Sequence, residues 1–115
     1  MNYKGSCHCG KISFEVEGSL EQAMECNCSH CSRKGYLLWF VPRSQFKLLP
    51  SEEDLATYTF NKHVITHHFC PQCGCAPFAT GNDRSGAATA AINVRCLEGV
   101  ELASLKKVPV DGRSL

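Results

Sequence analysis

Cys70-Pro71-Gln72-Cys73-Gly74 is the stretch on which the fold of this chain turns. A Cys-x-x-Cys turn can set two sulfurs on one metal ion while its backbone N–H groups donate to the thiolates. Pro71 pre-sets the turn, and Gly74 offers the positive φ often needed just after it. The competing use of this spacing is redox chemistry, which wants a βαβ context that the flanking sequence lacks. Two sulfurs do not complete a structural zinc, which takes four ligands. Cys7 and Cys9 are two apart, so an extended backbone turns both to one face, and local bending lets both reach one ion. Cys7, Cys9, Cys70 and Cys73 are therefore the expected ligands of a closed site tying the N-terminal strand to the later half of the chain. A structural zinc of this kind contributes on the order of 10 kcal/mol, comparable to the whole stability of a typical domain.

Outward from that site, Cys26-Asn27-Cys28-Ser29-His30-Cys31 supplies three more thiols in one short run. Three thiols make three corners of a tetrahedron, and the fourth belongs to water, a substrate thiol or a more distant residue. Left open, the site makes zinc a Lewis acid that turns a bound thiol into a thiolate at neutral pH. Filled by protein, it is structural. The open arrangement is the expectation here, with Cys26, Cys28 and Cys31 as catalytic ligands. Cys75 and His30 are the candidate closers, read as a bystander and a satisfied neighbour. Cys96, in the apolar setting Val94-Arg95-Cys96-Leu97, reads as a buried core thiol. On a strand His63 and His67 share a face and His68 takes the other, so the three converge only at a kink. Arg33 and Lys34 can hold the carboxylates of an anionic thiol substrate or stand as a solvated pair.

Composition supports metal over disulfides. Nine cysteines in 115 residues demand one explanation or the other. The start Met1-Asn-Tyr-Lys-Gly-Ser-Cys7 lacks a charged leader followed by an apolar run, and no stretch approaches the roughly 20 apolar residues of a membrane span. The expected setting is cytoplasmic, where thiols stay reduced. An apolar fraction of 43% with 20% charged residues reads as one ordinary globular domain over residues 1–115. Seven thiolates remove seven charges and two zinc ions restore four, which takes the formal +1 to −2. A mildly acidic surface is poorly suited to nucleic acid, so neither nucleic acid nor membrane is an expected partner.

Residues 11–17 alternate strictly, with Ile12, Phe14 and Val16 on one face, and predict a half-buried strand. The apolar run 36–41 predicts a buried strand stopped by Pro42. Residues 46–49, 55–60, 63–69 and 87–94 are further strands. Helical signals are confined to a start at 51–54 and a turn or two within 98–105. Many short strands with turns between them indicate a mainly β domain.

Gly5-Ser-Cys-His-Cys-Gly10, Cys26-Asn-Cys-Ser-His-Cys-Ser-Arg-Lys-Gly35 and Phe69-Cys-Pro-Gln-Cys-Gly74 resemble the motifs of the glutathione-dependent formaldehyde-activating enzyme family, which includes centromere protein V. The ending Asn93-Val-Arg-Cys-Leu97 with Asp111-Gly112-Arg113 fits as well, and the resemblance runs over about residues 3–113. It implies a mainly β, Mss4-like β-tent of small antiparallel sheets stabilised by zinc. It implies two zinc ions per chain: a structural one on Cys7, Cys9, Cys70 and Cys73, and a catalytic one on Cys26, Cys28 and Cys31. The implied chemistry is carbon–sulfur lyase-type, a thiol such as glutathione adding to a small carbonyl such as formaldehyde, or the reverse. The alternative is a non-enzymatic, protein-binding module with two closed zinc sites and an apolar patch around Trp39 and Phe40. An iron or iron–sulfur carrier is a third possibility for thiolate ligands. Oligomeric state is not legible in the sequence.

Overall fold

The computed structural model describes residues 1–59, 65–83 and 85–111. The alternation at 11–17 becomes β2 (Ser13–Glu17), in which Phe14 and Val16 turn inward and are almost fully buried. Strand β1 (Asn2–Ser6) and β5 (Phe46–Leu48) pair antiparallel with it on either side, giving a three-stranded sheet in the order β1-β2-β5.

The remaining strands are β3 (Gln22–Cys26), β4 (Leu38–Pro42), β6 (Ala56–Tyr58), β7 (Thr66–Phe69), β8 (Phe78–Asn82), β9 (Ala88–Asn93) and β10 (Lys106–Val110). They form one seven-stranded sheet in the order β10-β3-β4-β9-β8-β7-β6. The fold is mainly β, as expected. Every pairing is antiparallel except β10 with β3, which run parallel. A parallel neighbour needs a long connection, and the whole of the intervening chain supplies it here.

Period-2 alternation gives the large sheet two distinct faces. Trp39, Val41, Phe78 and Ile92 point toward the small sheet and join Ile12, Phe14, Val16 and Phe46 in the main core. Phe46 lies 5.4 Å from Phe14 and 4.6 Å from Phe78, centroid to centroid. Each such ring buried contributes about 1.5–3 kcal/mol. The opposite face carries Leu38, Ala79 and Ala91, which pack with Cys31 and Tyr36 in a second, smaller cluster.

The expected strands at 46–49 and 87–94 appear with shorter bounds, and the one at 36–41 is shifted to Leu38–Pro42, with Pro42 as its last residue rather than its stop. Residues 55–60 and 63–69 yield β6 and β7, while Phe60 and His63 lie outside the described residues. The helix start at 51–54 is only a 3-10 turn (Glu52–Asp54), and 98–105 likewise holds one 3-10 turn (Leu102–Ser104). Strands β1, β3, β8 and β10 and the helix α1 (Ser29–Lys34) carry too little periodicity to announce themselves.

Gly5 fixes how closely the chain start approaches the core. A Cβ there would lie 2.4 Å from Phe14 Cζ and 2.9 Å from the Cys96 carbonyl oxygen, and neither a core ring nor a backbone oxygen can retreat cheaply. Gly5→Ala is therefore expected to destabilise the fold by about 1–3 kcal/mol, read as a lowered midpoint in denaturant unfolding. An unchanged midpoint would show that the core yields at this point.

Candidate metal centres

Cys7 and Cys9 flank the start of the turn that leads into β2, and Cys70 and Cys73 form the turn after β7. Their four sulfurs lie within 4.8 Å of one another, with Cys7–Cys9 and Cys9–Cys70 each at 3.6 Å. Sulfurs at the corners of a zinc tetrahedron with bonds of about 2.3 Å stand about 3.8 Å apart, so this set fits zinc. The turn is built to receive thiolates. Ile12 N–H donates to Cys7 Sγ at 3.3 Å, and the N–H groups of Gln72 and Cys73 both donate to Cys70 Sγ at 3.4 Å. Gly74 adopts φ 82°, the left-handed conformation expected of it, and its N–H closes the turn onto the Cys70 carbonyl.

The thiols also show why a cation belongs there. Backbone N–H groups of Cys75 and Cys9 hold Cys73 down at about 5. Burial raises Cys70, but the N–H groups of Cys73 and Gln72 outweigh it and pull it below its ordinary value. Cys9 goes the other way. The Lys11 N–H favours its thiolate, yet burial and the neighbouring Cys70, Cys7 and Cys73 thiols push it up to about 11. Four thiolates this close repel one another, so without a positive ion Cys9 keeps its proton.

The second group is Cys26, Cys28 and Cys31, again with sulfurs within 4.8 Å of one another. Cys26 ends β3, Cys28 is the N-cap of α1, and Cys31 sits buried in the helix. The cap is made by sulfur: Cys31 N–H donates to Cys28 Sγ at 3.3 Å. Burial acts to raise Cys28, but that N–H, the Cys31 and Cys26 thiols and the His30 N–H together lower it. Cys31 is pushed far up, first by its own burial and then by the Cys28 and Cys26 sulfurs. The helix ends at Gly35, whose φ of 71° lets its N–H return to the Cys31 carbonyl.

A cluster of rings adjoins this group. His30 lies 4.2 Å from His67, stacks on Tyr58 at 5.4 Å and tilts against Tyr36 at 5.6 Å, centroid to centroid. Burial, then the neighbouring His30, His68 and Lys34 charges, lowers His67 to about 4. Burial, then the charges of Cys31 and Cys96, raises Tyr36 to about 12. Both rings are neutral at neutral pH.

The sequence pattern of the "Glutathione-dependent formaldehyde-activating enzyme" family matches residues 2–107. The chain belongs to that family. The crystal structure of a Rhodobacter sphaeroides protein is similar in fold and sequence: TM-score 0.77 and 32% identity, covering 91% of this chain and 99% of that one.

The family motifs acquire physical roles in this fold. Asn27 N–H donates to the Val110 carbonyl, and its side chain donates to Asp111 at 2.9 Å, holding the first thiol loop to β10. Asn93, buried, donates to the Ala76 carbonyl at 3.1 Å and accepts from Arg95 N–H, while Arg95 Nε reaches the Gly35 carbonyl at 2.9 Å. Gly112 and Arg113 lie outside the described residues. Neither thiol group includes Cys75, Cys96 or His30. Cys75 instead uses its carbonyl to accept from Cys70 N–H, and half-buried Cys96 packs against the main core. His68 faces away from His67 and bonds Thr80 at 2.9 Å. Trp39 corrects the apolar patch of the binding-module alternative: it is buried edge-on against Tyr3, and of the two only Phe40 is exposed. Arg33 is engaged with the Ser29 carbonyl at 2.9 Å, and Lys34 sits 5.7 Å from the centre of the Phe69 ring. Sequence reasoning missed Tyr36 and Tyr58, since a tyrosine in an apolar run carries no signal of its neighbours. Among the described residues no helix is long and apolar enough to cross a membrane, and all nine cysteines are unbridged.

A depressed histidine binds its proton less readily folded than unfolded. Its stabilising contribution is thus complete above the unfolded value of about 6.5 and is lost as pH falls toward about 4. Imidazole NMR should find His67 neutral down to about pH 5, with a midpoint near 4. A midpoint near 6.5 would show that the ring is solvated.

Proposed function

We propose that Cys7, Cys9, Cys70 and Cys73 hold a structural zinc, and that Cys26, Cys28 and Cys31 hold a second zinc whose remaining ligand is the thiol substrate. On this reading the chain is a carbon–sulfur lyase-type enzyme that joins a thiol such as glutathione to a small carbonyl such as formaldehyde, or reverses that addition. One observation carries it. The second group brings three sulfurs together with no fourth Cys, His, Asp or Glu ligand atom among the described residues, whereas the first brings four. A closed set serves stability, and a set of three suits exchange.

A zinc held by the three sulfurs would lower the pKa of a coordinated thiol and so supply a thiolate at neutral pH. The chain's own residues do the rest. The thiolate sulfur bonds to the carbonyl carbon, the C=O π pair moves to oxygen, and that oxygen takes a proton equivalent to the one the thiol gave up. Tyr36 packs in the same cluster as Cys31. Its phenol, kept neutral by burial, is the candidate donor for the developing alkoxide. Lys34, exposed at the end of α1, is the cation suited to an anionic thiol's carboxylate. The whole of residues 1–115 serves as one domain in this reading, with a core drawing on residues from Tyr3 to Leu105. A reduced, cytoplasmic setting suits nine unbridged thiols.

The test pairs stoichiometry with turnover. Wild-type protein should bind two zinc ions and accelerate exchange between glutathione, formaldehyde and S-hydroxymethylglutathione in NMR exchange spectra. Cys28→Ser should lose one zinc and at least about a hundredfold in rate while staying folded. Cys73→Ser should fail to fold, because its site closes the core. X-ray absorption showing four protein ligands on both ions, unchanged by glutathione, would sink the enzymatic reading in favour of a closed binding module.

A further inference from the structure

On the sheet face that carries Cys31, the antiparallel register lines up Phe40, Ala91, Ala79, His67 and Tyr58 in one row across β4, β9, β8, β7 and β6. The next row outward on that face holds Thr89 and Gly81, which are paired with each other. Between two large side chains, Phe40 on β4 and Ile65 just before β7, every residue on this face is therefore small. The result is an open trough of about 600 Å³ floored by Ala79, Ala91, Gly81 and Thr89. Its walls stand three strand spacings apart, about 14 Å. That is room for an alkyl chain or an aromatic ring, within the size range of ligand pockets.

The trough shares two residues with the cluster that holds the thiol group. Ala79 and Ala91 line it and also pack in the cluster that contains Cys31 and Tyr36, with Cys26 and Cys28 against that cluster. His67, the next residue in the row, lies 4.2 Å from His30, which α1 carries between Cys28 and Cys31. Its floor is apolar apart from Thr89, whose hydroxyl donates to the Ala87 carbonyl. Among the described residues the one charge on its rim is Asp83, whose carboxylate is already occupied by Ser85 Oγ and the N–H groups of Ser85 and Ala87 and would repel an anion. The tripeptide's carboxylates do not belong here, and formaldehyde has no carbon substituent to fill it.

Resting on the thiol–carbonyl reading above, we infer that this trough binds the apolar substituent of a neutral aldehyde larger than formaldehyde, a medium-chain aliphatic or aromatic one, and holds its carbonyl carbon toward the Cys26, Cys28 and Cys31 group. The step itself is unchanged: an S–C bond forms, the C=O π bond breaks, and the oxygen is protonated, with no oxidant or reductant required.

The experiment uses zinc-loaded protein with two readouts. Hexanamide, an unreactive stand-in for hexanal, should produce saturable methyl NMR shifts at Ala79, Ala91, Thr89 and Ile65. With glutathione as the thiol, hexanal should be preferred over formaldehyde in kcat/KM. Thr89→Trp, which fills the trough, should weaken hexanamide binding and cut the hexanal-to-formaldehyde ratio by about tenfold or more, since the lost contact covers several methylene groups. Phe40→Ala, which removes a wall without touching the buried face, should lower the same ratio and serves if Thr89→Trp does not fold. Formaldehyde turnover with no hexanamide shifts in the trough would overturn this inference and leave the thiol–carbonyl reading standing. Hexanamide binding without turnover of any aldehyde would overturn that reading and support the trough as an apolar site. Trough shifts that follow protein concentration rather than hexanamide would assign the face to a second copy of the chain and overturn the ligand assignment.

Discussion

Repulsion among thiolates is the constraint from which the rest of this structure follows. Cys7, Cys9, Cys70 and Cys73 bring four ionisable sulfurs within 4.8 Å, two of them in the main core. Like charges that close, partly shielded from water, cost several kcal/mol unless a cation stands among them. The backbone has nevertheless committed N–H donors to Cys7 and Cys70, an arrangement that favours the charged form. The fold therefore gathers, at the point where the turn before β2 meets the turn after β7, a donor set that could hold a metal ion. That junction is also what joins the small sheet to the far half of the large one.

From that junction the large sheet divides two tasks between its faces. One face meets the three-stranded sheet and buries Trp39, Phe78 and Ile92 beside Phe14 and Phe46. The other holds a thinner cluster of Leu38, Ala79, Ala91, Tyr36 and Cys31, with the second thiol group at its margin. Strand alternation makes the division nearly unavoidable: Trp39 and Val41 cannot enter the core without Leu38 and Phe40 turning to the other face. A single strand thus contributes to stability with one set of residues and to the candidate site with the next.

Much of this was legible in the sequence. The spacing of the thiols divided them into four and three, and the structure brings together those same two groups. The strict alternation at 11–17 gave β2 its buried face. What escaped were elements whose signals depend on partners. β8, Phe78-Ala-Thr-Gly-Asn82, carries too little pattern to announce a strand, yet its Ala79 and Gly81 help open the trough beside Phe40. β10 is held largely by pairing with β3, a contact no local pattern announces. The run 36–41 read as a buried strand, and parity along β4 puts Trp39 inside, so only Phe40 remains for the surface patch of the binding-module alternative. His67 was assigned a face correctly but not its neighbours, because Tyr36 and Tyr58 reach it across the fold.

The helix α1 shows how the second site and the fold depend on each other. At six residues it is far below the length at which a helix stands alone in water. It persists through a thiol N-cap at Cys28, a left-handed C-cap at Gly35 and the burial of Cys31. Two of those three supports are also members of the candidate metal group. Arg95 adds a bond to the Gly35 carbonyl from the end of β9, so the sheet that floors the trough also fixes where the helix stops. Any ion that draws Cys26, Cys28 and Cys31 together would tighten the same turn that orients His30 against His67 and Tyr58. Ligation, helix order and the placement of the ring cluster are then one cooperative event.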